Sequence, residues 1–280
     1  MEDTLLSAAH ICKKYNGRTI LNDICLSVRR GEAIALVGEN GCGKSTLLRV
    51  LSGLTQPTAG TVQTNPSARL GLIPDRYEKI SLTVTRFMSH MLALEKLESD
   101  AAQRYYRMFA LEDMLDMPMK YLSKGTLQKV AAVQALVGQR DLLFVDEPLS
   151  GQDAVSRRNF AEELLSRKNA GTAILMAVHE PLLIETLADR IFEIRDGLLE
   201  DGTAYACRHQ RTRCVFLLDC GETELGVLLR GAVPEAQIAI SSFGQRMRLE
   251  ADSTHSVSLL RALLDARIRI VKFEEGETPC

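Results

Sequence analysis

Three short runs of almost uninterrupted apolar residues stand out from the polar background of the chain. They are Ala33–Val37, Leu142–Val145 and Thr172–Val178. Continuous apolar runs of this length, without alternation, are typical of strands buried on both faces of a parallel sheet. The pattern therefore predicts an α/β fold built on a buried parallel sheet.

The remaining strand-like segments are shorter or more mixed in polarity. Ala8–Cys12 and Ile20–Val28 are predicted to be strands, and the Asn16-Gly17 pair between them is a turn signal. Gly60–Val62 and Leu70–Pro74 are two further candidate strands. The N-terminal part of the chain thus carries several strands around the first apolar run.

The spacing of apolar residues is different in the middle of the chain. From about residue 81 to 120 the apolar residues recur mostly at spacings of three and four, which predicts helices. A further helix is predicted over Leu127–Leu136. Together these segments form a helical subdomain at about residues 81–136.

After Gly197 the composition changes, and strand and helix patterns alternate. The predicted order is strand Arg213–Leu218, helix Thr223–Arg230, strands Ala236–Ile240 and Arg246–Glu250, helix Val257–Ala266, and strand Arg267–Phe273. This order is that of a split βαβ unit of the ferredoxin-like kind. We therefore expect a larger domain over residues 1–204 and a small α+β accessory domain over 205–280, which serves regulation or docking.

Composition narrows the class of protein. The chain has 280 residues, 46% of them hydrophobic, and a formal net charge of −2 with both signs scattered. This balance argues against a protein that binds nucleic acid. The sequence shows no membrane-spanning run and no signal-peptide pattern, so we expect a cytoplasmic protein. The seven cysteines are odd in number and lack paired metal-ligand spacing, and they are expected to be reduced thiols.

A glycine-rich segment follows the first apolar run and opens onto a helical one. Such a loop points several backbone N–H groups at one anion, and the following helix N-terminus adds partial positive charge. Its lysine can reach the β and γ phosphates of a nucleotide, and its serine can ligate Mg²⁺. The alternative is a glycine-rich turn that binds nothing. The segment consists of Gly38, Glu39, Asn40, Gly41, Cys42, Gly43, Lys44, Ser45 and Thr46.

Polar residues end the other two apolar runs. Asp146 and Glu147 follow the second run, and His179 follows the third. The carboxyl ends of parallel strands meet at one edge of a sheet, where ligands of open α/β sheets bind. We expect Asp146 to hold Mg²⁺, Glu147 to accept a proton from an attacking water, and His179 to contact the γ phosphate. The alternative readings are strand-end acids that cap a helix and a structural histidine.

Over residues 5 to 200 these motifs, in this order, resemble the ATP-binding cassette (ABC) ATPases of membrane transporters. The resemblance implies a P-loop NTPase cassette fold in which Gly38–Thr46 is the Walker A loop and Leu142–Asp146 is Walker B. It implies that Tyr15 stacks on adenine and that Ser150–Asp153 is the D-loop. It further implies that the family's signature loop, which contacts nucleotide, contains Ser123, Lys124 and Gly125.

Three features depart from the usual pattern of that family. The signature has Lys124 in place of glycine and Thr126 in place of glutamine, a variant that looks like the cassettes of bacterial drug exporters. Asp75 stands where a glutamine is expected after Leu70–Pro74, and we expect this carboxylate to be linked to Mg²⁺. The tail does not resemble the regulatory domains of sugar importers.

The resemblance also implies partners and a mechanism. Two ATPase subunits, identical or different, would close head to tail around two ATP molecules with Mg²⁺. A separate integral membrane permease would carry out transport, with export expected, and this chain would lie at the cytoplasmic face of the membrane. The alternative is a soluble ABC ATPase that acts in regulation, immunity, translation or DNA repair without a permease.

Overall fold

A computed structural model describes residues 3–148, 153–202, 212–219, 239–243, 246–252, 259–260, 263–264, 266 and 268–277. The chain divides into two compact units, Met1–Ala206 and Cys207–Cys280. In the described residues, no helix is long and apolar enough to cross a membrane.

The central element of the first unit is a six-stranded sheet that contains all three apolar runs. Its strands, in spatial order, are β5 (Leu70–Ile73), β6 (Leu142–Asp146), β7 (Ala173–Ala177), β3 (Ala33–Val37), β8 (Arg190–Arg195) and β9 (Leu198–Asp201). The first five are parallel, and only β9 runs antiparallel, beside β8. The predicted α/β fold with a buried parallel sheet is confirmed.

A second, antiparallel sheet is formed by the N-terminal strands. It has the order β2 (Arg18–Arg29), β1 (Thr4–Tyr15), β4 (Ala59–Thr64). Strands β1 and β2 each have twelve residues and are longer than the sequence pattern predicts, because β-bulges interrupt their alternation of polar and apolar positions. The turn between them is at Asn16-Gly17, and both residues have positive φ.

Six α-helices are described in the first unit. They are α1 (Lys44–Leu51), α2 (Val84–Leu94), α3 (Gln103–Met108), α4 (Lys124–Val137), α5 (Ala154–Asn169) and α6 (Pro181–Leu187). Single 3₁₀ turns lie at Glu112–Met114 and Met119–Tyr121. The segment predicted as helical from residue 81 is thus broken into short helices. One break lies at Lys96, whose φ of 56° cannot continue a right-handed helix.

The two faces of the six-stranded sheet bury separate apolar cores. Side chains alternate along each strand, so Ala35 and Val145 enter one core while Leu36 and Phe144 enter the other. The first core is completed by α2 to α6, and the second by α1 with the strands of the antiparallel sheet. The central strands are therefore fixed from both sides, and their carboxyl ends are held in place.

The second unit contains one four-stranded antiparallel sheet. Its order is β11 (Ala239–Phe243), β12 (Arg246–Asp252), β10 (Thr212–Asp219), β13 (Arg269–Glu277). Each of the four predicted strands overlaps one of the described strands. The predicted helix Thr223–Arg230 lies outside the described residues, and Val257–Ala266 is described only in part. The ferredoxin-like assignment stays a prediction.

Candidate active site

The glycine-rich loop lies between the carboxyl end of β3 and the start of α1. Gly38 has a φ of 133°, and a Cβ atom there would approach the carbonyl oxygen of Ile194 to 2.7 Å. Gly43 has a φ of 120° and precedes the first residue of the helix, Lys44. Since a glycine offers no capping side chain, the first amides of α1 are left to bind an anion. The loop has the geometry that the sequence predicts.

Lys44 places its ammonium group inside this loop. Its side chain is only 6% exposed, and Nζ donates to the carbonyl oxygens of Gly38 at 2.7 Å and Glu39 at 3.1 Å. Nζ also lies 2.9 Å from Nε2 of His179, which comes from the segment after β7. An ammonium group can only donate, so Nε2 accepts this bond and the imidazole proton is then on Nδ1.

Ser45 and Asp146 bring two oxygen ligands together. The Ser45 hydroxyl donates to Oδ1 of Asp146 at 2.9 Å, and Asp146 is 3% exposed at the end of β6. Burial raises the pKa of Asp146, and the hydrogen bond from Ser45 opposes part of that rise. A hydroxyl oxygen and a carboxylate oxygen are the hard ligands that Mg²⁺ prefers. This donor set fits the ion.

Glu147 follows Asp146 in a strained backbone conformation. Its φ is 47°, and its amide donates to the carbonyl oxygen of Ala177 at 2.9 Å, which aims the residue at the segment after β7. Its Oε1 lies 3.3 Å from Nε2 of His179. Burial raises the pKa of Glu147 to about 7, with Lys44 opposing and Asp146 adding to the rise. A carboxyl group that titrates near neutral pH is suited to proton transfer.

Lys44, Ser45, Glu147 and His179 all line one cavity of about 490 Å³. It lies at the carboxyl edge of the parallel sheet, between the loop and the start of α4. Its lining residues are Asn40, Gly41, Gly43, Lys44, Ser45, Thr46, Asp75, Lys124, Glu147 and His179. The juxtaposition of the loop, the strand-end acids and the histidine is therefore as predicted.

Three further residues predicted to bind nucleotide are not among those that line this cavity. Glu39 and Cys42 line a neighbouring cavity of about 580 Å³, which shares Asn40 and Gly41 with the first. Tyr15 ends β1, is 44% exposed, and has Nζ of Lys13 4.9 Å from the centre of its ring. Its ring face is thus covered by a cation, which a purine base would have to replace or share.

The predicted signature loop forms the start of α4. Ser123 is the N-cap residue and accepts a hydrogen bond from the amide of Thr126 at 3.1 Å. Lys124 lines the nucleotide cavity of its own chain, where its Nζ lies 2.9 Å from Oδ1 of Asp75. The carboxylate predicted to serve Mg²⁺ is thus engaged by a lysine. The predicted D-loop is described only at Asp153, which is the N-cap residue of α5. Residues 150–152 lie outside the described residues.

The site contains one residue that sequence reasoning missed. Gln128 on α4 is fully buried, and its Nε2 donates to the carbonyl oxygens of Pro74 at 2.9 Å and Glu147 at 3.3 Å. Among the described side chains, its Oε1 is a buried atom for which no hydrogen-bond partner is found. Gln128 therefore connects α4 to the ends of β5 and β6. The sequence feature that could have identified Gln128 is a single amide side chain on the apolar face of a predicted helix.

Comparison with known proteins places this geometry in a family. The sequence profile described as "ABC transporter" matches residues 21–150. The zinc import ATP-binding protein ZnuC of Yersinia enterocolitica is 36% identical over 194 residues, which cover 67% of this chain and 75% of that protein. ZnuC of Cereibacter sphaeroides is 34% identical over 206 residues, covering 71% and 83%. This chain belongs to the ABC transporter family.

Solved structures agree with this assignment. The ATP-binding subunit of an ABC transporter matches with a TM-score of 0.63 and 27% identity, over 70% of this chain and 88% of that one. A dimeric ATP-binding cassette bound to ADP and phosphate shares the fold, with a TM-score of 0.62 and 22% identity. The predicted cassette fold is confirmed. As an ABC ATPase, the chain hydrolyses ATP to power transport and uses Mg²⁺.

One expectation is corrected by these relatives. The signature variant at Lys124 and Thr126 predicts a resemblance to drug-exporter cassettes, but the relatives described above carry names of importers. The physical reason is that both substitutions lie at the start of α4, beside the nucleotide cavity. Side chains at that place can affect ATP binding without reporting the direction in which a separate permease moves its cargo.

Proposed function

We propose that this chain is the ATPase subunit of an ABC importer for a divalent transition metal, with Zn²⁺ as its cargo. The ATPase part rests on one observation, the convergence of Lys44, Ser45, Glu147 and His179 on one cavity, with Asp146 hydrogen-bonded to Ser45 beside it. The import of zinc is supported by relatives named as zinc import ATP-binding proteins, which the chain matches over 75% and 83% of their length.

In this proposal the loop Gly38–Thr46 holds the phosphates of ATP. The amides at the start of α1 and the ammonium of Lys44 bind the β and γ phosphate oxygens. Ser45 and Asp146 would hold Mg²⁺, which would offset the negative charge of the phosphates. Asp75 lines the same cavity and would add a carboxylate ligand if it left Lys124.

Glu147 is the proposed general base. Its raised pKa means that it can accept a proton from the attacking water near neutral pH. Lys44 neutralises charge that develops on the γ phosphate, and His179, beside both Lys44 and Glu147, fixes their positions and contacts the same phosphate.

A second ATPase subunit, identical or different, completes each site. Ser123, Lys124 and Gly125 at the N-terminus of α4 would face the γ phosphate held by the partner, and the helix dipole favours an anion there. Tyr15 would stack on adenine, and Glu39 and Cys42 would contact the nucleotide as part of the loop Gly38–Thr46. Closure around ATP and reopening after hydrolysis would drive a separate membrane permease. The weak net charge of −2 supports a protein that binds no nucleic acid.

The domain division and location are part of the same proposal. Residues 1–204 would form the ATPase domain, and residues 205–280 an accessory ferredoxin-like domain for regulation or docking. The four-stranded antiparallel sheet of the second unit supports that topology. The protein would act in the cytoplasm, bound peripherally to the membrane through its permease.

Zinc uptake by cells that lack this chain tests the proposal. Deleting its gene in the native host should lower the uptake of radioactive zinc from zinc-poor medium and leave manganese uptake unchanged. The parent chain should restore uptake, and Lys44→Ala, which removes the phosphate-binding ammonium, should not. Unchanged zinc uptake after deletion would contradict the proposed cargo, and rescue by Lys44→Ala would contradict the role of ATP.

A further inference from the structure

We propose that His10, Asp23 and Cys25 form a binding site for a thiolate-accepting transition metal ion of the Zn²⁺ class. Their ligand atoms all lie within 4.8 Å of one another on the antiparallel sheet. Nδ1 of His10 lies 2.7 Å from Oδ1 of Asp23, and Sγ of Cys25 lies 3.9 Å from the same nitrogen. None of these residues belongs to the nucleotide site, and the inference holds for any transported cargo.

Two opposed β-bulges bring these side chains together. Ala8 pairs with Leu26 and Ile11 with Ile24, so β1 has an extra residue there. The next pair, Lys13 with Leu21, leaves the extra residue on β2 instead. In regular strands, His10 and Asp23 would not approach in this way, because each bulge rotates the side chains that follow it. The convergence is a built feature of the sheet.

The bulged residues adopt a backbone conformation that side chains rarely take. His10 has a φ of 55° and Asp23 a φ of 56°, both in the left-handed region. The neighbouring strand is shaped to this bulge: Gly60 on β4 has a φ of 88°, and a Cβ there would lie 2.3 Å from the carbonyl oxygen of His10. Residues held in this region cost free energy and tend to mark functional sites.

Two thiols fix the backbone of the bulges. The amide of His10 donates to Sγ of Cys25 at 3.3 Å, and the amide of Asp23 donates to Sγ of Cys12 at 3.4 Å. Cys25 thus lies among the ligand atoms, whereas Cys12 supports the second bulge from outside the cluster. This difference makes Cys12 a matched control for Cys25.

The donor set selects the class of ion. Imidazole nitrogen, carboxylate oxygen and thiolate sulfur are all Zn²⁺ ligands, whereas Mg²⁺ and Ca²⁺ take oxygen ligands. Around a tetrahedral zinc ion, sulfur and nitrogen ligands lie about 3.6 Å apart, and nitrogen and oxygen ligands about 3.4 Å apart. The corresponding distances here are 3.9 and 2.7 Å. The sulfur and carboxylate ligand atoms lie within 4.8 Å of each other. Shifts of about 1 Å, with the ion replacing the shared proton, complete the site.

Exposure provides room for those shifts and for a fourth ligand. The side chains of His10 and Asp23 are 76% and 63% exposed, and Cys25 is exposed as well. A water molecule can therefore complete the tetrahedron, as at zinc sites with three protein ligands. An exposed hydrogen bond between His10 and Asp23 would by itself contribute little stability, so it does not account for two strained residues. A bound ion would cross-link β1 and β2.

Cobalt spectroscopy on the intact, purified chain tests this site. Co²⁺ bound by a thiolate gives a sulfur-to-metal charge-transfer band, and tetrahedral ligation gives intense visible bands. The parent chain should show both with one Co²⁺ per chain, and Zn²⁺ should displace it. Cys25→Ser should lose the charge-transfer band, and His10→Ala should weaken binding by more than about tenfold. Cys12→Ser should keep the spectrum, and the other cysteines are present in every variant.

Alkylation of the parent chain keeps the test decisive where a variant does not fold. Zn²⁺ should protect Cys25 from iodoacetamide, as measured by peptide mass spectrometry, and leave the labelling of Cys42 unchanged. An unchanged charge-transfer band in folded Cys25→Ser, or equal labelling of Cys25 with and without Zn²⁺, would overturn the proposal. Neither measurement involves transport or ATP, so a failure here is distinct from a failure of the proposed import function.

Discussion

Lys124 and Asp75, the two departures from the usual family pattern that line the nucleotide cavity, form an ion pair with each other. Nζ of Lys124 lies 2.9 Å from Oδ1 of Asp75, and the side chains are 54% and 27% exposed. The pair joins the segment after β5 to the first residue of α4. An exposed pair of this kind contributes little stability, about 1 kcal/mol or less. The ion pair instead affects the charge that surrounds the phosphates and Mg²⁺ in this cavity.

The ion pair predicts opposite shifts in Mg²⁺ dependence for two variants. Asp75→Asn removes a carboxylate near Ser45 and Asp146, so the half-saturating Mg²⁺ concentration of the ATPase should rise. Lys124→Gln removes the nearer of the two cations that pair with Asp75, leaving Arg76 at 3.5 Å, so that concentration should fall. Titration of Mg²⁺ at saturating ATP measures both. If neither variant moves it, Asp75 is only a partner of Lys124 and plays no part in holding the metal.

The raised pKa of Glu147 predicts a pH-dependent difference in stability. Burial raises this pKa from 4.5 to about 7, so the folded state binds the proton more tightly than the unfolded state does. The associated stability is present in full below pH 4.5 and is lost as pH rises to 7. Glu147→Gln has no such loss. Between pH 4.5 and 8 the free energy of unfolding of Glu147→Gln should therefore increase, relative to that of the parent chain, by up to about 3 kcal/mol.

Urea unfolding of both chains at several pH values in that range measures this gain. The buried Asp146 is common to both chains, so the difference isolates residue 147. A difference that stays constant with pH would mean that Glu147 titrates at its ordinary value, and the argument for a base tuned to neutral pH would fail.

Gln128 is predicted to support catalysis by positioning Glu147. Gln128→Met keeps the length of the side chain but removes both donated hydrogen bonds, leaving the carbonyl oxygens of Pro74 and Glu147 buried without them. We expect a loss of about 1–3 kcal/mol in unfolding free energy and a lower kcat, with ATP affinity within about twofold of the parent. Gln134→Met, on the same helix and half-buried, is the matched control.

Steady-state kinetics, nucleotide binding and urea unfolding together separate the two effects in Gln128→Met. Addition of enough osmolyte to restore stability should not restore kcat, because the position of Glu147 is what has changed. Equal kcat in the two glutamine variants would assign Gln128 a purely structural role.

The nucleotide site could be predicted because its signals are local. A buried strand, a glycine loop and a helix follow one another between Ala33 and Leu51, and the spacing alone fixes where Lys44 and Ser45 lie. Asp146 and His179 could be added because parallel strands end at a common edge. In each case, the sequence order determines the spatial order.

Features that depend on register or on long-range contacts could not be predicted. The bulges at His10 and Asp23 arise from a pairing offset between β1 and β2, which the polarity pattern does not record. The contact of Asp75 with Lys124 joins residues 49 positions apart, through the packing of α4 against β5. The direction of transport depends on a partner protein, so the signature residues could not predict it.

The role of Glu147 as the base is tested most directly by phosphate release from Glu147→Gln. The amide keeps the size of the side chain but cannot accept the proton, so ATP and Mg²⁺ should still bind through Lys44, Ser45 and Asp146 while turnover falls by at least about a hundredfold. Light scattering should show an ATP-dependent dimer for this variant, and Lys44→Ala should remain monomeric. Phosphate release near the parent rate would contradict the account.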